Sequence, residues 1–139
     1  MTKPDAKGSF SPLRILATCL SGWCLPGGGH LFLKRRSRGL VFLALILAMF
    51  ILGLLMDGKL YYIEPGQPLS YLATLGNLGI GPLYLILKGA GYGQGDAYSL
   101  TYEYGNTFIL VASLLNVLVI LDAYDIAVGR RAKPKDSQQ

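Results

Sequence analysis

The stretch Gly39–Met56, GLVFLALILAMFILGLLM, decides the fold. Its 18 residues carry no charge, and no side of a helical projection prefers water. A helix of that kind is surrounded by protein or by lipid. A chain of 139 residues has too little other mass to surround it, so lipid is the expected neighbour. A bilayer core about 30 Å thick needs roughly 20 mostly apolar residues. Residues 39–57 therefore read as one firm membrane span.

Working outward, three more windows lack Asp, Glu, Lys and Arg: Ile15–Leu33, Pro65–Leu87 and Tyr104–Leu121. The last holds NTFILVASLLNVLVIL and extends to about Val128 when Asp122 and Asp125 sit at headgroup level. Residues 106–128 are the second firm span. In the first window a helix over 13–25 meets Pro26 and the triplet Gly27, Gly28, Gly29. Thirteen residues rise only about 20 Å, short of a crossing. Arg14, Thr18 and Ser21 form a polar stripe, which suits a short helix at the interface or dipping partway in. The remaining window carries Gly76, Gly79, Gly81 and Pro82, so residues 69–87 read as a kinked span or a re-entrant hairpin. The expected fold class is an all-α integral membrane protein with two firm spans and two short or broken membrane helices. Residues 13–129 form one helical membrane domain between a flexible segment, 1–12, and a basic flexible tail, 130–139.

Composition agrees. Hydrophobic residues make up 52% and charged residues 15%, against about 25% charged in soluble domains. That excludes a disordered chain, and two cysteines exclude a disulfide scaffold. The N-terminus lacks an A-x-A cleavage site and is read as mature sequence. Of 13 basic residues, all but Lys59 and Lys88 fall in three clusters: Lys3 to Arg14, Lys34 to Arg38, and Arg130 to Lys135. Positive residues near membrane ends stay cytoplasmic. All three clusters share that side only when the firm spans cross and the other two segments enter and return. The termini are then cytoplasmic, in a multi-pass protein of the cell (inner) membrane. The pI near 9.3 reflects charges that meet anionic headgroups, so no nucleic-acid partner is expected.

The stretch Pro26–Leu40, PGGGHLFLKRRSRGL, resembles the glycine-rich turn of the two-transmembrane domain superfamily, close to P-G-x-G-H-x-Y-L-G before a basic cluster and an apolar helix. Pro26, Gly27, Gly29, His30 and Leu33 match; Phe32 replaces the tyrosine and Lys34 the last glycine. The ending Tyr102–Arg131 is similar to that of small uncharacterised bacterial membrane proteins with the same turn. The resemblance implies a small helical bacterial membrane protein and carries over no catalytic residue.

Eight residues stand out as structural or interaction candidates: Pro26, Gly27, Gly29, His30, Asn77, Asn116, Asp122 and Asp125. His30 is the only histidine, a weak candidate ligand for a haem or pigment beside a plainer role bonding headgroups or backbone. Asp122 and Asp125, at i and i+3, share a helix face as a docking or proton-handling pair, or as an interfacial cap pairing with basic neighbours. Asn77 and Asn116 lie deep in their windows, where an amide wants a partner in another helix, each other included. A pore lining would need several such amides on one face, and the sequence offers none. Cys19 and Cys24 lack CxxC spacing and read as packing residues. Ala44 and Ala48 form a small-xxx-small step for close helix packing. GAGYGQG, residues 89–95, has no Lys-Ser/Thr and reads as a loop. Tyr61, Tyr62, Tyr92, Tyr98, Tyr102 and Tyr104 suit an interfacial aromatic belt.

No cofactor, metal or catalysis is expected, because no nucleophile–base pair, buried carboxylate pair or ligand cluster is present. The expected function is an accessory or assembly component of a larger membrane complex, or a homo-oligomer; the alternative is a component of an oligomeric transporter or channel. The partner expectation rests on backbone groups at the glycines that a two-helix core would leave unsatisfied in lipid.

Overall fold

The computed structural model describes residues 11–130. The basic residues Lys3, Lys7, Arg131, Lys133 and Lys135, and most of the expected terminal segments, lie outside them. The described residues form six helices and no strand: α1 Pro12–Cys24, α2 Gly28–Phe32, α3 Arg36–Leu55, α4 Pro68–Leu78, α5 Pro82–Gly89 and α6 Tyr102–Ala127. Two of them, α3 and α6, are long and apolar enough to cross a bilayer. The chain is an all-helical integral membrane protein.

The two long helices pack antiparallel. On α3 the inward face carries Gly39, Ile46, Phe50 and Gly53, all buried. At one end Gly53 lies so close to α6 that a Cβ would meet the Gly105 carbonyl oxygen at 2.9 Å and the Ile109 nitrogen at 2.9 Å. Ile46, Phe50, Ile109 and Ala112 fill the seam beyond that contact. Ala44 and Ala48 do not take part: both face outward. The small-xxx-small step is thus left unused within the chain.

The other segments are hairpins hung on α6 from opposite ends. Helix α1 runs antiparallel to α6, with Gly22 against Ile120 and Thr18 against the Gly29 turn. Of the expected polar stripe, Thr18 and the Ser21 backbone face this turn, while Arg14 is exposed. Thr18 is fully buried, and its hydroxyl donates to the Arg14 carbonyl. After Leu25 the chain reverses and a short helix not anticipated from the sequence, α2, carries it back to the end where α1 began. The reversal needs Gly27, at φ 74°, where any Cβ would collide with the Gly39 carbonyl.

The window 69–87 is not one kinked helix. Helices α4 and α5 meet at 113° across Gly79–Gly81. Helix α4 descends beside α6, Gly76 lying over Leu110 and Gly79 over Ser113. Helix α5 climbs back, so that the Tyr84 hydroxyl donates to the Tyr61 carbonyl at 2.7 Å and Lys88 Nζ stands 4.4 Å from the Tyr62 ring centre. Gly81, at φ 76°, makes the turn where a side chain would run into the Trp23 carbonyl.

The charges follow this geometry. Lys34, Arg35, Arg36, Arg38 and Arg130 gather at the end where α3 begins and α6 stops, while Lys59 and Lys88 sit at the other.

Candidate functional site

Helices that stop at mid-depth leave carbonyls without intrahelical partners, and hydrocarbon offers no water to satisfy them. Here Asn116, near the middle of α6, satisfies two. Its Nδ2 donates to the Gly22 carbonyl of α1 at 3.2 Å and to the Gly79 carbonyl after α4 at 2.9 Å. A second link joins the hairpin tips directly, the Trp23 indole donating to the Leu78 carbonyl at 3.0 Å. Asn116 is fully buried. Its amide therefore binds backbone of both hairpins. The Asn77 side chain, also fully buried, has no hydrogen-bond partner among the described residues.

The end where α3 begins holds a second cluster. Pro26, Gly27, Gly29 and His30 are all buried. A Cβ on Gly29 would lie 2.8 Å from the Ala123 Cβ and 3.0 Å from the Thr18 carbonyl oxygen, so the turn sits directly on α6. That seat presents His30 to Asp122: Nε2 lies 3.4 Å from Oδ2, with the Phe42 ring centre 5.1 Å from the imidazole. The histidine is 0% exposed, whereas the aspartate side chain keeps 23%. Neither cavity described below includes either residue. Asp125 does not join them; it points to Arg130 at 3.6 Å. The two aspartates, neighbours on one helix face, serve different partners.

The opposite end carries a polar head. The Lys59 amide donates to Asn106 Oδ1 at 2.7 Å, and Lys59 Nζ meets Glu64 at 3.1 Å. The hydrogen bond to Glu64 holds the Lys59 ammonium above its usual range. Burial, with a hydrogen bond to Tyr102, pushes the Tyr61 hydroxyl up to about 12. Below this head a groove of about 790 Å³ runs between α4 and α6, walled mainly by leucines and ending at Val117. A smaller cavity of about 330 Å³ lies between Asp57 and the glycine loop 91–95.

Several of these residues escape a sequence reading. Ser70, Thr74 and Asn77 recur at i, i+4 and i+7 on α4, and all three are buried. The spacing was visible, but both hydroxyls serve backbone of their own segment, Thr74 Oγ1 donating to the Ser70 carbonyl and Ser70 Oγ to that of Gln67. Trp23 gave no signal, because its acceptor lies 55 residues on. Among the described residues no group of three or more His, Cys, Asp or Glu could hold a metal ion.

Two helices fit to cross a bilayer, one of them joined near its middle to two hairpins through one asparagine, define a small helical membrane protein of the broken-helix kind. The chain belongs to DUF6677, a family of unknown function, whose pattern matches residues 17–132. No curated protein and no solved structure matches it.

Proposed function

We propose that this protein is a non-enzymatic accessory or assembly component of a larger bacterial membrane complex, or a homo-oligomer, docking through the outer face of α3. The observation that carries this reading is the outward Ala44–Ala48 step. Small residues four apart let helix backbones approach closely in lipid, where packing rather than water drives association. The glycine-tip argument for a partner loses its force, because Asn116 and Trp23 satisfy tip carbonyls from within the chain. Two further points support the reading. The His30–Asp122 pair lies under the turn and lines neither the groove nor the smaller cavity, which supports a structural role for it. The likeness of that turn to the two-transmembrane domain superfamily supports a bacterial setting, and the placement of the basic residues supports cytoplasmic ends.

Mass photometry after extraction in mild detergent tests it. Wild type runs above the 15.0 kDa monomer or with a co-purifying protein, and Ala44→Leu with Ala48→Leu releases a folded monomer. A folded wild-type monomer without company contradicts it.

A second reading, a component of an oligomeric transporter or channel, is favoured by one observation: broken-helix ends meet at mid-depth, where transporters place substrate. Asn77, buried with an unanswered amide, is the residue to test. Flux in proteoliposomes abolished by Asn77→Ala supports this reading.

A further inference from the structure

We propose that the groove between α4 and α6 binds one glycerophospholipid from the leaflet at the α3–α4 loop end, acyl chain between the leucine walls and phosphate or ester oxygens on Asn106 and Lys59. The groove changes character along its length in the order a lipid does. At the head stand Lys59, Glu64, Gln67 and Asn106; below them Leu72, Leu75, Leu110 and Leu114 make both walls. From Asn106 to Val117 the α6 wall is twelve residues long, a rise of about 16 Å at 1.5 Å per step. That is one leaflet of a hydrocarbon core about 30 Å thick. Its volume, about 790 Å³, lies within the roughly 300–1,000 Å³ of small-molecule sites.

The head supplies matching chemistry. Asn106 Oδ1 accepts from the Lys59 amide, which fixes the orientation of the side-chain amide and leaves Nδ2 as a donor. That Nδ2 has no hydrogen-bond partner among the described residues, and Asn106 is only 8% exposed. A buried donor in such a place calls for an acceptor from outside the chain. Lys59 stands beside it as a cation with three donors, one of them used by Glu64. Ester and phosphate oxygens answer both groups. A helix from a partner fits less well. It would need a wall running the full thickness of the membrane, and this groove stops at mid-depth; an apolar helix also brings no acceptor to Asn106.

The test uses the full chain in phosphatidylcholine vesicles doped with a phosphatidylcholine that carries a photoactivatable diazirine on one acyl chain. Cross-links are mapped by mass spectrometry. The proposal requires labelling at Leu72, Leu75, Leu110 and Leu114 about tenfold richer than at Leu45 and Leu52 on the outer face of α3. Ala73→Trp, which fills the groove from its α4 wall, brings groove labelling down to that outer-face level with helical content unchanged. Native mass spectrometry of the wild type gives an independent reading that no variant's folding can blur: one phospholipid stays on each chain through detergent exchange. Even labelling around the molecule, groove labelling that survives in a folded Ala73→Trp protein, a wild type stripped bare by exchange, or a protein segment recovered in the groove overturns the proposal.

Discussion

The two hairpins reach the same asparagine from opposite ends, yet they pack in opposite ways. The α1–α2 hairpin packs closely through its glycines: Gly27 lies against the Gly39 backbone and Gly29 against Ala123, while Gly28 closes the hairpin on the Ser21 carbonyl. Nothing is left open, and His30 is sealed under the turn. The α4–α5 hairpin touches α6 through Gly76 and Gly79, while Leu69, Leu72 and Leu75 stand largely exposed beside the groove. Close approach follows the small residues, and the cleft opens where leucines stand in their place. A mid-membrane helix end is tolerable in both cases, because Asn116 supplies the hydrogen bonds that water cannot.

The sharpest way to break this comparison is to remove what the hairpins share. Asn116→Leu strands the Gly22 and Gly79 carbonyls together. Interhelical bonds in membranes are worth roughly 1 kcal/mol each, and stranded groups add to that, so the loss is about 3 kcal/mol. Unfolding in detergent, followed by circular dichroism, should show both hairpins loosened. A stability equal to wild type means that the bonds to Asn116 carry no load.

Next come substitutions that separate the hairpins. Gly29→Val pushes a side chain into Ala123 and the Thr18 backbone, an overpacking cost of about 1–3 kcal/mol. It should also move His30 off Asp122, read as a change in the histidine ring signals by nuclear magnetic resonance. Gly76→Ala meets only the flexible Leu110 side chain. Its cost should stay below about 1 kcal/mol, since Ala regains helix propensity. Equal costs at the two glycines erase the distinction between a sealed and an open hairpin.

The smallest effect belongs to the polar head above the groove. Tyr61 ionises near 10 when unfolded and at about 12 when folded. Between those values the unfolded chain releases a proton that the folded chain keeps. The stability present below pH 10 therefore declines through that window. An alkaline titration of tyrosinate absorbance should show one late-titrating tyrosine that Tyr61→Phe removes.

Much of this was legible in the sequence, and unevenly. The two through-helices announce themselves, because an uncharged apolar run of that length has few other fates. The breaks were legible too, in Pro26 with its glycines and in Gly79–Gly81. Which way each broken segment turned was legible only through the placement of basic residues. What joined the hairpins was not. Asn116 was recognisable as an amide in need of a partner, but its acceptors are backbone carbonyls, which every residue has and no pattern marks. The pairing of His30 with Asp122 likewise depends on how closely Gly29 seats on Ala123, a distance that residue spacing does not encode. The groove was invisible for the same reason: it is a gap between leucines that look like any lipid-facing residues.

The most direct test of the account is sided labelling of single cysteines in a background with Cys19 and Cys24 changed to alanine, using a membrane-impermeant maleimide on sealed vesicles of known orientation. Positions 14, 36 and 130 should label from one side, and positions 62 and 92 from the other, with position 116 silent from both. Labelling of 14 and 36 from opposite sides would make the α1–α2 segment a full crossing, and the account of two hairpins meeting on Asn116 would be wrong.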